Sequence, residues 1–361
     1  MIAVIGAGIA GLSTAHQLAL RGADVLVLEA GEIACGASGV ATSYLEPRRG
    51  KKTAARLIEQ EALRRWPDYA AQLEQASGVD VEFRDEGQIR VSLAENQSQF
   101  DADIRARLAG GDSFELITPQ QARSREPALS EHITSAAFLS HIRWITGAKV
   151  CQALAVAIAK LGGEVRQFAP VVKLQHFENG VRLQIDGGAS LEVEKTVICT
   201  GIGAVSIDGF PVDIPASRPV RGVNLIVDQS ALDQPLQHMI KHHRGNLCPR
   251  SGNLLIVGTT YEAGEFSLTP DSDVIERIYQ NAEPILPAVR QLPLLDVVAG
   301  LRSKIGDGNL RLGRSSANPN IYYSLSHAGA GYLRAPVVAD EFAEFVLTGK
   351  QGQLCAENFH V

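Results

Sequence analysis

Apolar and polar residues recur along this chain with two different periods, and the periods change in blocks. The chain opens on an apolar run, Ile2 to Ile5, and a second, Val25 to Leu28, follows an Ala- and Leu-rich helical stretch, Leu12 to Leu20. Short uninterrupted apolar runs read as parallel strands buried on both faces. The first 31 residues thus predict a βαβ unit. Helical spacing returns over 53–75, with Ala55, Leu57, Ile58, Ala62, Leu63, Trp66, Tyr69 and Leu73. From Val79 to Leu93 the period shortens to two, which predicts a solvent-facing antiparallel hairpin. A charged helix is expected over 95–109, a helix start at Thr118-Pro119, a strand over 136–145, and a helix over 147–161 stopped by Gly162-Gly163. Alternating strands fill 164–199, and a further antiparallel set covers 218–228, 237–249 and 254–260. A helix over 271–286, short strands at 297–302, 310–312 and 321–325, and a closing helix over 332–347 complete the chain.

The order of these blocks sets the fold class. It is α/β, with a Rossmann-like dinucleotide domain that is discontinuous (1–78, 147–215 and 296–361). A mostly antiparallel, α+β substrate domain (79–146 and 216–295) caps it. Ligands of such an architecture bind between the two domains.

Composition narrows the class of protein. Of 361 residues, 45% are hydrophobic and 20% charged, enough for a large core and too apolar for disorder. The net charge of −6, with signs mixed, argues against nucleic acid as a partner. No apolar run reaches the ~20 residues of a transmembrane helix. The N-terminus lacks the basic region of a signal peptide, so the expected compartment is the cytoplasm. Cys35, Cys151, Cys199, Cys248 and Cys355 are scattered, odd in number and without a C-x-x-C, as expected of incidental thiols in a reducing environment. The histidines show no metal-ligand spacing, and no metal is expected. His242 and His243 are adjacent, so a strand there would point them to opposite faces.

The chemistry begins with Gly6, Gly8 and Gly11, a G-x-G-x-x-G directly after the first strand, together with Ile9 and Ala10 between them. Gly6 suits the tight turn, Gly8 the approach of a pyrophosphate, and Gly11 the packing of helix on strand. Glu29, 18 positions after Gly11 and followed by Ala30, is placed to accept from ribose hydroxyls and to repel a 2′-phosphate. This unit predicts a dinucleotide and leaves NAD and FAD both open. Three later segments turn the choice toward a flavin: Ala299-Gly-Leu-Arg302, Asp307-Gly308 with Leu312-Gly-Arg314, and Ser326-His-Ala-Gly-Ala-Gly-Tyr-Leu-Arg-Ala-Pro336. In the last, small residues lead into a helix whose free N–H groups suit the electron-rich end of an isoalloxazine.

With these pieces the chain resembles the FAD-dependent D-amino acid oxidase superfamily, within it the branch of glycine oxidases, sarcosine oxidases and amino acid dehydrogenases. The resemblance rests on V-I-G-A-G-I-A-G-L-S near the start, G-A-S-G at 36–39, C-T-G at 199–201, C-P-R at 248–250, G-L-R at 300–302, D-G at 307–308 and H-A-G-A-G-Y-L-R-A-P at 327–336. It implies non-covalent FAD, with Gly6, Gly8 and Gly11 on the pyrophosphate and Glu29 on the ribose. Ala37 and Ser38 would line the flavin or pyrophosphate, and Val171 would meet the adenine through its backbone. Thr200 and Gly201 would pass near the cofactor. Gly329, Ala330, Gly331, Tyr332 and Leu333 would approach the flavin pyrimidine edge. Arg302 would lie beside the flavin and fork onto the substrate carboxylate. The implied substrate is a small amine or amino acid, the electron acceptor oxygen or a quinone, and a homo-oligomer is possible.

Departures from that pattern concern the substrate. Glycine oxidases carry a tyrosine where Asn246 stands and an arginine where Ala328 stands, so glycine specificity does not follow. Asn246 and its neighbours His242 and His243 are candidates to face the flavin. Arg48, Arg49 and Arg221 are lesser candidates for carboxylate binding, and His141, Arg143 and Trp144 read more readily as packing. Two other functions stay open: oxidation of a 2-hydroxy acid or of a modified nucleoside amine, and a redox-silent flavin-binding subunit.

Overall fold

The computed structural model describes residues 1–360; Val361, at the end of the expected cofactor domain, lies outside them. A seven-stranded sheet runs in the order Phe359–His360, Arg311–Arg314, Ile321–Leu325, Lys195–Ile198, Ile2–Ile5, Val25–Leu28, Glu164–Arg166. Its ladders are parallel except between Arg311–Arg314 and Ile321–Leu325. The unbroken apolar runs are explained by burial on both faces. Ile2, Val4, Val25, Val27 and Val197 face a core built with the helices Ile9–Leu20, Ala54–Ser77, Gly147–Lys160 and Gly331–Thr348. Ala3, Ile5, Leu26, Leu28 and Ile198 face a second core, closed by a three-stranded sheet of Val171–Phe177, Gly180–Ile185 and Ser190–Val193.

A nine-stranded sheet forms the other half. Its order is Glu262–Ala263, Arg218–Asp228, Leu254–Gly258, Gly245–Pro249, Met239–His242, Gln88–Leu93, Ile133–Leu139, Glu115–Ile117, and Leu294–Lys304 pairs along Arg218–Asp228. The whole of Leu294–Lys304 lies in this ladder, from Arg218↔Lys304 to Val227↔Leu294. The expected boundary at 295/296 therefore cuts a continuous strand.

The hairpin expected over 79–93 forms only at Gln88–Leu93. Val81, and in part Val79 and Phe83, pack instead on the helical core, and Arg84 exchanges backbone bonds with Trp144. The alternation there serves a connector between two cores, not a strand pair. Nor is Gln88–Leu93 solvent-facing: residues 88–92 are buried.

Candidate functional site

The two glycine-rich segments, some three hundred positions apart, meet in space. A Cβ on Gly331 would lie 3.2 Å from Ile9 Cγ2. Gly6 has φ +106°, and a side chain there would approach Cys199 O to 2.7 Å; one on Gly11 would meet Gly6 O at 1.9 Å. Only glycine allows this turn and this closeness of helix to strand. The helices starting at Ile9 and Gly331 have no side-chain cap, a feature they share with Gln97–Gly110 and Gly147–Lys160 but combine with glycine-rich approaches. Their free N–H groups and positive ends suit an anionic ligand. Ile9 N donates to Ser38 Oγ (3.1 Å), which ties the 36–39 loop to the first of these ends.

Glu29 is fixed beside the first glycine turn. Its Oε2 accepts from Ala7 N (2.6 Å) and its Oε1 from Gly31 N (3.0 Å), so the carboxylate is fixed and still has acceptor capacity. Ala30 beside it is exposed, and Ala169 N donates to Glu29 O (2.8 Å), which brings the start of Val171–Phe177 alongside. Gly201 and Gly329 have open space where a Cβ would point, and Thr200 Oγ1 is buried without a hydrogen-bond partner. These residues fit FAD: donors at both helix ends, an acid at the ribose position and an unsatisfied hydroxyl between. Tyr332 and Leu333 have a role other than side-chain contact. Their carbonyls accept from Trp66 Nε1 (3.2 and 3.1 Å), and Tyr332 Oη donates to Ser38 O (2.8 Å), clamping the loop.

The substrate side is one face of the nine-stranded sheet. Cross-strand partners share a face. Val223, Leu225, Leu247, Val257, Ile240 and Ile89 therefore share the face that packs with the helix Ser272–Ala282 in an apolar core. The opposite face carries Arg302, Gly300, Gly222, Asn224, Gly258, Asn246, Lys241 and Arg90 in register. It looks toward the cofactor side: Asn224 Nδ2 donates to Val40 O (2.8 Å), and a Cβ on Gly300 would touch Ala37 Cα at 3.1 Å.

Arg302 extends over Gly222, where a Cβ would lie 2.3 Å from Nη2. Nη2 donates to Thr259 Oγ1 (3.1 Å), and Nη1 to Thr260 O (3.3 Å) and Arg221 O (3.5 Å). Among the described residues no carboxylate lies within ion-pair distance of it. The other candidate arginines are all paired: Arg48 with Glu59 (3.3 Å), Arg49 with Asp103, Arg221 with Glu262 (2.7 Å). Burial pushes the Arg302 guanidinium down from its usual range, and Tyr44 and Tyr261 nearby partly offset this. A half-buried guanidinium that has acceptors but no counter-ion is a natural place for a ligand carboxylate.

His243 is not brought here. The strand Met239–His242 ends one residue before it, and His243 is exposed at the hairpin tip. It lines a surface depression with Leu93, Glu95, Gln280 and Asn281, on the side of the covering helix. His242 is buried at the strand end, its pKa pushed down to about 4 by burial. Trp144 packs with Met239 and Cys248, in agreement with its expected packing role. His327, between Ser326 (φ +60°) and Ala328 (φ +50°), pairs Nε2 with Ser324 Oγ (2.9 Å), and burial lowers its pKa to about 3. Asn224, Thr259, Tyr44 and Tyr261 escaped the sequence reading. One signal was present: Gly222 and Asn224 break an apolar strand at i, i+2 and so mark one face.

The family model described as FAD dependent oxidoreductase matches residues 1–345. A glycine oxidase from Bacillus licheniformis is 27% identical over 95% of this chain and 92% of its own length. The solved structure of a glycine oxidase from Bacillus cereus superposes with TM-score 0.90 at 24% identity, covering 99% of this chain and 97% of that one. An iminodiacetate oxidase from Chelativorans shares the fold with TM-score 0.88 at 15% identity, covering 99% and 98%.

Proposed function

Because this chain belongs to the family of FAD dependent oxidoreductases, we propose that it oxidises the C–N bond of an amino acid or small carboxylated amine whose carboxylate is held by Arg302. It is an FAD-dependent enzyme, similar to glycine oxidases over nearly its whole length. The observation that carries the substrate reading is the half-buried Arg302 fork, which lacks an acid partner where Arg48, Arg49 and Arg221 each have one.

FAD supplies the hydride acceptor at its N5. The protein contributes orientation and exclusion of water. Arg302 fixes two oxygens of the substrate and so fixes which Cα–H is presented. Thr259 Oγ1 and the Thr260 and Arg221 carbonyls hold the fork in place from behind. The product imine then takes up water and gives a keto acid and ammonia. No general base is assigned: His327 is neutral and engaged with Ser324. FAD is read as non-covalent. Cys199, beside Gly6, is pushed up to about 12 by burial and so offers no thiolate. Oxygen or a quinone as acceptor, a cytoplasmic setting and a homo-oligomer belong to the same reading. So does a division into a cofactor domain of residues 1–78, 147–215 and the segment after Lys304, and a capping domain of residues 79–146 and 216–304, the bound at 295 being moved because Leu294–Lys304 belongs to the cap's sheet. No helix of the described residues is long and apolar enough to cross a membrane.

The test is anaerobic mixing of the yellow holoprotein with D- and L-amino acids, glycine, sarcosine, proline and 2-hydroxy acids. Bleaching by an amino acid is the expected result. Bleaching by hydroxy acids alone would replace the reading with the hydroxy-acid alternative, and bleaching by none with the redox-silent one.

A further inference from the structure

The row of residues beside Arg302 holds two buried carboxamides. Asn224 and Asn246 flank Gly258 on neighbouring strands, in direct register, on the same face as Arg302. Their side chains are 3% and 4% exposed, and neither Oδ1 has a hydrogen-bond partner. The orientation of Asn224 is not arbitrary. Its Nδ2 donates to Val40 O (2.8 Å), so Oδ1 must point the other way, and it lies over Gly258, 2.2 Å from where a Cβ would sit. A side chain at 258 would fill the space that this oxygen occupies. Likewise, the absence of a side chain at Gly222 makes room for the Arg302 fork. Two glycines thus leave a floor with a cation over one and a bare carbonyl oxygen over the other.

A buried acceptor left unpaired is destabilising, so a site that keeps one suits a donor that arrives with the ligand. Gly222 and Asn224 are two residues apart on one strand, about 7 Å. One small molecule can therefore reach both the fork over Gly222 and the carboxamide beside Gly258.

We propose that Asn224, with Asn246 beside it, selects substrates that carry a hydrogen-bond donor on the side chain. The substrate class is an amino acid whose carboxylate lies on Arg302 and whose side chain ends, one or two methylenes from Cα, in an amide, hydroxyl or ammonium group. Alkyl side chains of the same shape are rejected because they leave the carbonyl unpaired. This rests on the carboxylate reading of Arg302.

Asparagine and leucine are near-isosteric and differ at the donor. The holoprotein should be reduced anaerobically by one enantiomer of asparagine with kcat/KM about tenfold or more above that for leucine, as expected when a buried polar group is left without its partner. Binding gives a readout that needs no turnover. Succinamate and 4-methylpentanoate, the same skeletons without the amine, should differ by a similar factor in calorimetric Kd. In Asn224→Leu, confirmed to hold FAD by its absorbance, both ratios should fall to about one. Equal rates and equal Kd values for the two skeletons in the unaltered protein would overturn the proposal and leave the carboxylate reading standing. Ratios that survive Asn224→Leu would also overturn it. Reduction by no amino acid, with neither carboxylate bound, would overturn both.

Discussion

One face of the nine-stranded sheet carries two cationic regions, buried at one end and half-buried at the other, that differ above all in their partners. At the Arg90 end, the charges are closed among themselves. Glu46 contacts Arg90 (2.6 Å), Lys241 (3.3 Å) and Arg107, and Asp103 contacts Arg90 (3.1 Å), Arg107 (3.0 Å) and Arg49. At the other end, a few strands away, Arg302 has a hydroxyl and two carbonyls, and Asn224 and Asn246 keep free oxygens. The helix Gln97–Gly110 and the Glu46 segment cover the first region; the second borders the 36–40 loop and the cofactor glycines. Partnered charge holds the Glu46 segment and the helix Gln97–Gly110 to the sheet. Unpartnered charge is where the proposed carboxylate would bind. The partners, more than the burial, distinguish the two.

That contrast can be broken from the closed side with the largest effect. Glu46→Ala removes the acid shared by Arg90, Arg107 and Lys241 and leaves buried cations uncompensated, at an expected cost of about 3–5 kcal/mol in denaturant unfolding. A loss under half a kilocalorie would show that solvent already screens these charges.

Acid should act more gently on the same group. Burial pushes the Glu46 carboxyl up, but Lys241, Arg90 and Arg107 outweigh it and hold the carboxyl well below its usual range. Its contribution is therefore complete above the unfolded value of about 4.3 and is lost as pH falls through the lower folded value. Stability should decline on acidification below about pH 4, and Glu46→Gln should flatten that decline. An unchanged pH profile in Glu46→Gln would move the acid sensitivity elsewhere.

On the open side, Gly222→Ala places a methyl against the Arg302 fork. The fork's end is flexible, so it shifts without unfolding the sheet. An apparent KM raised by about 3- to 10-fold for a carboxylate substrate is expected, equivalent to the ~1 kcal/mol of one weakened hydrogen bond, with kcat less affected. Wild-type kinetics would place the substrate off the fork.

The smallest expected effect is at the cofactor's far end. Glu29→Ala should raise the fraction of FAD lost on gel filtration, and full retention would remove the ribose role.

Much of this was legible in the chain. The buried strands Ile2–Ile5 and Val25–Leu28 betray themselves because burial on both faces leaves no polar position. Arg302 was legible through its glycine-flanked motif. The 79–87 connector was not, because Val79, Val81 and Phe83 alternate for a reason other than strand pairing: they reach a helical core. His243 does not join that face because the strand ends at His242, which pairs with Gly245, and leaves His243 exposed in the turn. Asn224 was invisible as chemistry, since a single carboxamide in an apolar strand carries no motif. Its meaning appears only when Gly258 and Val40 are seen beside it.

The central claim is that Arg302 lacks an acid because the substrate brings one. The direct measurement is titration of the oxidised holoprotein with acetate, a redox-inert carboxylate, followed by the flavin absorbance, in the unaltered protein and in Arg302→Met. The account predicts saturable spectral perturbation whose Kd rises by at least ~10-fold in Arg302→Met, the loss of a charge-assisted pair, with FAD fully retained. The same Kd in both proteins, with FAD equally bound, would contradict it.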